Sequence, residues 1–433
     1  MSFFIKYQKS ISAFIIFLFL SILCFSIYRD YKNYKEGYPC DLRKRIVGAR
    51  YMAKGYSPYF FKWTPAYAPE LCIQYEGDST FKQNIVTLPP SYTWLMLPLA
   101  KLPFPLVEKI WFTFQYFSLL LIFSTFYFKS NNKTSQSLLL LAYSFLLLSK
   151  SWIMNVQIGQ SYILFPLLLS IMYVFYHKHP KALFYYGFII GICIWLKPSY
   201  VFFTLPFLFS ENRIPFLKGL FIVAALCLIQ VILFNQYQNW IDFFKSSNNW
   251  MEYYSQRNFD NGIHFDKLET PAVIETQTNF STHPLPGYIA SIPIELRSIF
   301  NIYASSKVYG LILLGIIAII TFIFFYIKKI SDPNLLLLLG FCFNYLGEVF
   351  LWLPKYDYYF VELFFPLCFL VYNQHKVNRN TLLLLFTGLF FCTYLFKIIP
   401  MQLLIGEYLL ASCVFLFIFS NLKKITADKK YII

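Results

Sequence analysis

Apolar runs long enough to cross a lipid bilayer recur along this chain from one end to the other, and they restrict its fold before any motif is considered. A hydrocarbon core about 30 Å thick needs about 20 apolar residues per helix. Runs of that order occupy residues 11–27, 105–128, 137–153, 158–176, 183–196, 200–209, 215–234, 308–327, 334–353, 358–372, 381–396 and 401–422, which predicts roughly twelve spans, two of them short. Lipid offers the backbone no hydrogen-bond partners, so each span must satisfy its own polar groups as a helix. Hydrophobic residues make up 58% of the chain and charged residues 13%, with mean hydropathy +0.53, which leaves too little polar surface for a soluble domain. The expectation is an all-α polytopic membrane protein, one domain over residues 1–433.

Charge sets the orientation. Lys6 and Lys9 precede the first run, and Tyr28-Arg29-Asp30 follows it where a cleaved signal peptide would carry small residues, so the run reads as a retained anchor. With the N-terminus inside, the inner connections carry Lys129 and Lys133, Lys178 and Lys181, Arg213 and Lys218, Lys328 and Lys329, Lys376 and Arg379, then Lys423, Lys424, Lys429 and Lys430. The net charge of +16 is thus a topology signal, and no nucleic-acid partner is expected. Both termini are placed in the cytoplasm of a bacterial inner membrane, with outer loops at 29–104 and 235–306. This holds only if residues 88–103 (LPPSYTWLMLPLAKLP) do not cross, and their prolines and short length favour a re-entrant or interfacial segment.

The nine cysteines show no metal-binding spacing, and His264 and His283 are isolated, so neither metal nor cofactor is expected. Cys40 and Cys72 are the pair in the first outer loop, and both a disulfide and two thiols fit the spacing.

The first outer loop breaks the charge rule. Residues 41–59 (DLRKRIVGARYMAKGYSPY) hold Arg43, Lys44, Arg45, Arg50 and Lys54 against one carboxylate, Asp41. Anionic headgroups account for part of this density, and a bound phosphate accounts better for the clustering. Leu42, Ile46, Ala49 and Ala53 recur at helical spacing, which predicts an amphipathic helix along the membrane surface, ended by Gly55 and the Ser57-Pro58 turn. Asp41 suits an N-cap, a catalytic role, or both. The same topology turns Asn155, Gln157, Gln160, Lys197 and Asp357 outward. Gly159 permits close backbone approach beside Gln157 and Gln160, which makes both candidates for substrate contact. Lys197, fixed by Pro198 at a break between two short spans, is a candidate for phosphate binding. Glu348 and Glu362 lie within about two turns of their helix ends, where ionisable groups are functional candidates, a pairing with Lys355 being the alternative.

These residues resemble the polytopic glycosyltransferases of the GT-C superfamily, specifically glycosyltransferase family 87. The likeness runs through Asp41, Ala49 to Lys54 and Gly55-Tyr56-Ser57-Pro58-Tyr59, then Pro89-Pro90, Leu97-Pro98-Leu99-Ala100-Lys101-Leu102-Pro103, Gly159-Gln160-Ser161, Gly187 and Lys197-Pro198. It is weaker in the second half, where Lys355-Tyr356-Asp357-Tyr358-Tyr359 stands at the family's Trp-x-His-Tyr and Tyr358 replaces the histidine. The resemblance implies a GT-C fold and transfer of mannose, or another hexose or pentose, from a polyprenyl-phosphate donor to a glycan or glycolipid acceptor. In that reaction Asp41 would be general base with inversion, and Lys197 with Arg43, Arg45 or Arg50 would balance the departing phosphate. Gln157, Gln160, Tyr59, Tyr358, Asp357 and Glu348 would contact substrate. A polysaccharide polymerase or ligase using diphosphate-linked donors, and a lipid-linked-sugar flippase, are the alternatives, although no internal repeat supports the latter.

Overall fold

A computed structural model describes residues 2–36, 39–61, 66–71, 86–176, 179, 181–210, 213–255, 291–293, 296, 302, 306–327, 332–350, 355, 357–393, 398–399 and 401–429. Among these residues the regular elements are helical. They are α1 (Ser2–Glu36), α2 (Cys40–Ala53), α3 (Pro90–Leu95), α4 (Leu97–Ala100), α5 (Phe104–Lys129), α6 (Lys133–Leu147), α7 (Lys150–Gln157), α8 (Leu164–Tyr176), α9 (Ala182–Leu196), α10 (Leu205–Leu208), α11 (Arg213–Leu233), α12 (Tyr237–Ser255), α13 (Ser306–Ile327), α14 (Pro333–Phe350), α15 (Phe364–Tyr372), α16 (Arg379–Phe391) and α17 (Gln402–Lys429). Five of them, α1, α5, α11, α14 and α17, are long and apolar enough to cross a membrane. Shorter apolar helices fill the positions of most other expected spans.

Two predicted runs are broken, for visible reasons. The run 137–153 stops at Leu147, because Ser149 turns to accept the Trp152 amide (3.2 Å) and starts α7 afresh. The carbonyl of Leu147 exposed by that break accepts from the Arg29 guanidinium of α1 (2.9 Å). The run 158–176 begins its helix only at Leu164, since Gly159 has φ +71° and the chain cannot continue the helix there. Residues 88–103 form the two short helices α3 and α4 instead of one crossing helix. Cys72, His264 and His283 lie outside the described residues.

Helix α14 sits at the centre, with 78% of its apolar stretch buried, whereas α1 buries only 11% of its own and turns the rest outward. Helices α9 and α11 meet without intervening side chains: a Cβ on Gly187 would lie 2.0 Å from the Phe216 carbonyl oxygen, and one on Gly219 2.1 Å from that of Phe184. Small residues at such a seam let backbones approach where lipid offers no hydrophobic drive for association.

The bundle has two polar ends. Trp111, near the start of α5, donates to the Gln160 carbonyl (3.2 Å), while Lys129 closes the same helix. Eighteen residues of helix separate them by about 27 Å. Lys129 shares its end with Asp332, Asn373 and Lys376, all lining one cavity.

Candidate active site

Helix α2 is where the basic loop becomes a built structure. Its N-cap is Pro39, so Asp41 lies inside the first turn and does not cap the helix. Leu42, Ile46 and Ala49 are fully buried, as the spacing predicts, whereas Ala53 at the helix end is exposed, and Arg43, Arg45, Val47 and Tyr51 are buried as well. The helix is therefore packed into the protein, against α3 and α4, and does not simply float on a surface. Burying Leu42 and Ile46 alone contributes about 2 kcal/mol each.

The N-terminus of α2 docks on the turn between α7 and α8. The Asp41 amide donates to the Ile158 carbonyl (3.0 Å), and Gly159 comes against Pro39 and Leu42 so closely that its own Cβ would find no room. In this contact the Gln160 side chain is pinned at both ends: Arg45 donates to its Oε1 while its Nε2 donates to Asp41 Oδ2. Arg45 also donates to the Gly159 carbonyl (2.7 Å). The second Asp41 oxygen, Oδ1, pairs with Lys44 Nζ at 3.1 Å. Both oxygens of Asp41 are thus fixed, yet 22% of the side chain stays exposed. Burial pulls the Lys44 ammonium down, but the Asp41 carboxylate and Cys40 together hold it above its ordinary value. The Cys40 thiol is pushed up to about 11, first by burial and then by the Asp41 charge.

A second polar cluster surrounds Lys197. This residue leaves α9 in an extended conformation, and Pro198 opens a 3-10 turn, Pro198–Thr204. Its Nζ lies 2.6 Å from both Glu348 of α14 and Glu362 of the 3-10 turn Asp357–Leu363. Ser199 donates to Glu348 (2.9 Å), and Lys355 lies 3.3 Å from Glu407 of α17 and 4.0 Å from Glu348. The rings of Tyr359 and Tyr162, with centroids 4.8 and 4.9 Å away, flank the Lys197 ammonium. The three carboxylates and Lys355 are almost wholly out of water, and Lys197 keeps 15% of its side chain exposed.

The two clusters belong to one end of the bundle. Gln160, which grips Asp41, and Tyr162, which faces Lys197, are two residues apart, a separation of at most about 7 Å between their Cα atoms. Arg45 spans the same region, with its guanidinium 5.6 Å from the Tyr92 ring of α3.

Other residues singled out from the sequence are placed differently. The Arg43 guanidinium lies over the Phe104 ring (4.5 Å). Arg50 donates to the carbonyls of Ala100 (3.1 Å), Glu70 (3.1 Å) and Leu102 (3.4 Å), which ties α2 to the α4 segment. The Tyr59 hydroxyl donates to the Leu88 carbonyl (2.7 Å), and burial, then the Asp242 charge, push it well above the usual tyrosine value. Tyr358 stacks on Tyr359 (5.1 Å) and faces Tyr162. Gln157 ends α7 half-buried, and the side chain of Asp357 lies outside the described residues. Two participants escaped the sequence reading. Lys44 carried a signal in its position three residues after Asp41, and Glu407 in being the single acidic residue of an apolar run.

Comparison with curated proteins and with solved structures gives no match. The family model described as glycosyltransferase family 87 matches residues 87–354, a span that takes in Gln160, Lys197 and Glu348 and begins after Asp41. That match covers more than half of the chain, which among the described residues has five apolar helices of spanning length and a cluster of carboxylates, cations and amides at one end. The chain belongs to glycosyltransferase family 87 and is a membrane glycosyltransferase.

Proposed function

We propose that the chain moves a sugar from a polyprenyl monophosphate to an acceptor hydroxyl at the outer face of a bacterial inner membrane, inverting the anomeric centre with Asp41 as general base. The observation that carries this reading is the state of Asp41, fixed at both oxygens by Lys44 and Gln160 and still open to solvent. A carboxylate held that way keeps a lone pair for an incoming hydroxyl proton without having to reorient, which is what general-base catalysis requires.

The donor is carried by lipid because nucleotide sugars are scarce outside the cytoplasm. Trp94, Trp195 and Phe234 form an aromatic contact among α3, α9 and the end of α11, beside the outward apolar face of α11, which suits a polyprenyl chain. Phosphate charge is balanced from the same end of the bundle. Arg45 supplies that charge, since its guanidinium has five N–H donors of which Gly159 and Gln160 take two, whereas the Lys197 ammonium is already taken by Glu348 and Glu362. Arg43 and Arg50 are assigned to holding α2 in place. Phosphate leaves without protonation, so one carboxylate suffices.

The direct test is Asp41→Asn in purified protein reconstituted in vesicles with radiolabelled polyprenyl-phosphate sugars. Transfer is expected to fall at least about 100-fold, the scale of a lost general base, while thermal unfolding and donor retention stay near parental. Transfer at the parental rate would remove Asp41 from the mechanism.

A further inference from the structure

At the end of the bundle opposite Asp41, a cavity of about 720 Å³ opens between the α5–α6 connection, the start of α14, the end of α15 and α17. Its mouth and its floor differ in chemistry. Lys129 and Lys376 stand at the mouth, both exposed, and neither ammonium forms an ion pair among the described residues. The one carboxylate of the lining, Asp332, already accepts the Asn334 amide (2.9 Å) at the start of α14. Asparagine amides at 131, 132, 334, 373 and 421 ring the wall. Below them the floor is apolar, made by Leu335, Leu338, Phe369 and Phe417.

We infer that this cavity binds a phosphate-bearing amphiphile, with the phosphate at Lys129 and Lys376, headgroup hydroxyls on the asparagine amides and the first part of the chain on the apolar floor. Two exposed cations against one lining carboxylate attract phosphate, and basic pockets between helices take anionic headgroups. The amides add what a pair of lysines alone lacks. Asn373 is 93% buried; its Nδ2 donates to the Phe369 carbonyl (3.0 Å), which fixes the amide plane with its oxygen available as an acceptor. A hydroxylated headgroup such as glycerol supplies the donor that oxygen needs. The site is independent of the transfer chemistry, lying a helix length away from Asp41.

Native mass spectrometry of the full chain, released from nanodiscs containing equal phosphatidylglycerol and phosphatidylcholine, tests this. The parental protein is expected to retain phosphatidylglycerol preferentially. Lys129→Gln with Lys376→Gln should weaken that preference about thirtyfold, from two surface charges. Asn373→Leu, which keeps both charges, should weaken it less but measurably. As a control, Lys181→Gln with Lys218→Gln removes two cations outside the cavity lining and should leave the preference intact. Equal loss in the control would overturn the site and leave only general attraction to a basic surface, as would parental retention by the Lys129/Lys376 pair. Glycerol 3-phosphate added before release separates the sources: no displacement supports the amphiphile, whereas complete displacement overturns it in favour of a soluble phosphate.

Discussion

Replacing Gly159 by alanine probes the contact on which the candidate site depends. The new methyl would stand 2.6 Å from Leu42 Cβ and 3.0 Å from Pro39 Cβ, where carbon atoms settle at about 3.5–4.0 Å. Leu42 would have to withdraw by about 1 Å, taking with it Asp41, the next residue of the same turn. The left-handed φ of +71° adds a further cost of about 1–2 kcal/mol for any residue with a Cβ. A shift of about 1 Å in a positioned group costs on the order of 100-fold in rate, or about 2.7 kcal/mol in transition-state stabilisation. Gly55 supplies the control, since its φ is +79° but nothing lies within 4 Å of its would-be Cβ. Gly55→Ala should pay only the backbone strain and keep transfer near parental. The assay is sugar transfer in vesicles across a donor concentration series, with thermal unfolding of each variant measured in parallel. If Gly159→Ala transferred sugar like the parent, or if Gly55→Ala lost as much, the docking of α2 on this turn would not be what aligns Asp41.

Lys197→Met takes the cation from Glu362 and leaves Glu348 only the longer contact to Lys355, and it should lower stability by about 3–5 kcal/mol. Adding Glu362→Gln should recover part of the loss, and thermal unfolding in detergent reads both. Arg50→Ala removes the fork that joins α2 to the carbonyls of Ala100 and Leu102 and should cost about 2–3 kcal/mol. Arg50→Lys is not expected to rescue it, because an ammonium cannot bridge that spacing. The raised Cys40 thiol is protonated at pH 7, so site-resolved maleimide labelling should accelerate only as pH approaches 11. Asp41→Asn takes away the second cause of that shift and should move the labelling curve to lower pH, and an unmoved curve would separate the two side chains.

Helix and membrane character were legible because they depend on composition and period, which single residues report. Leu42, Ile46 and Ala49 showed one face of α2 at its true spacing, and Gly55 ended it. The depth of α2 was not legible. Arg43 and Arg45 read as phosphate-binding charges on a surface helix, and only a Phe104 ring and the Gly159-Gln160 turn, more than sixty and one hundred residues away in sequence, explain their burial. Gln160 was singled out for substrate contact from its neighbouring glycine, yet its partners are Asp41 and Arg45. The pairing of Lys197 with Glu348 and Glu362 had the same obstacle: each was visible as an ionisable group in an apolar setting, but Lys355, nearer in sequence, was the partner a local reading suggested. The breaks at Ser149 and Gly159 fall within runs that read as spans by length, although Lys150-Ser151 and Gln160-Ser161 follow them directly.

The backbone contact between Gly187 of α9 and Gly219 of α11 leaves no layer of side chains to act as lubricant. Two rods touching in that fashion travel as a single plank. If the donor is the lipid-borne one proposed above, its doorway from the surrounding bilayer must then open along another boundary of the molecule, on the far side of α11 or beside α1.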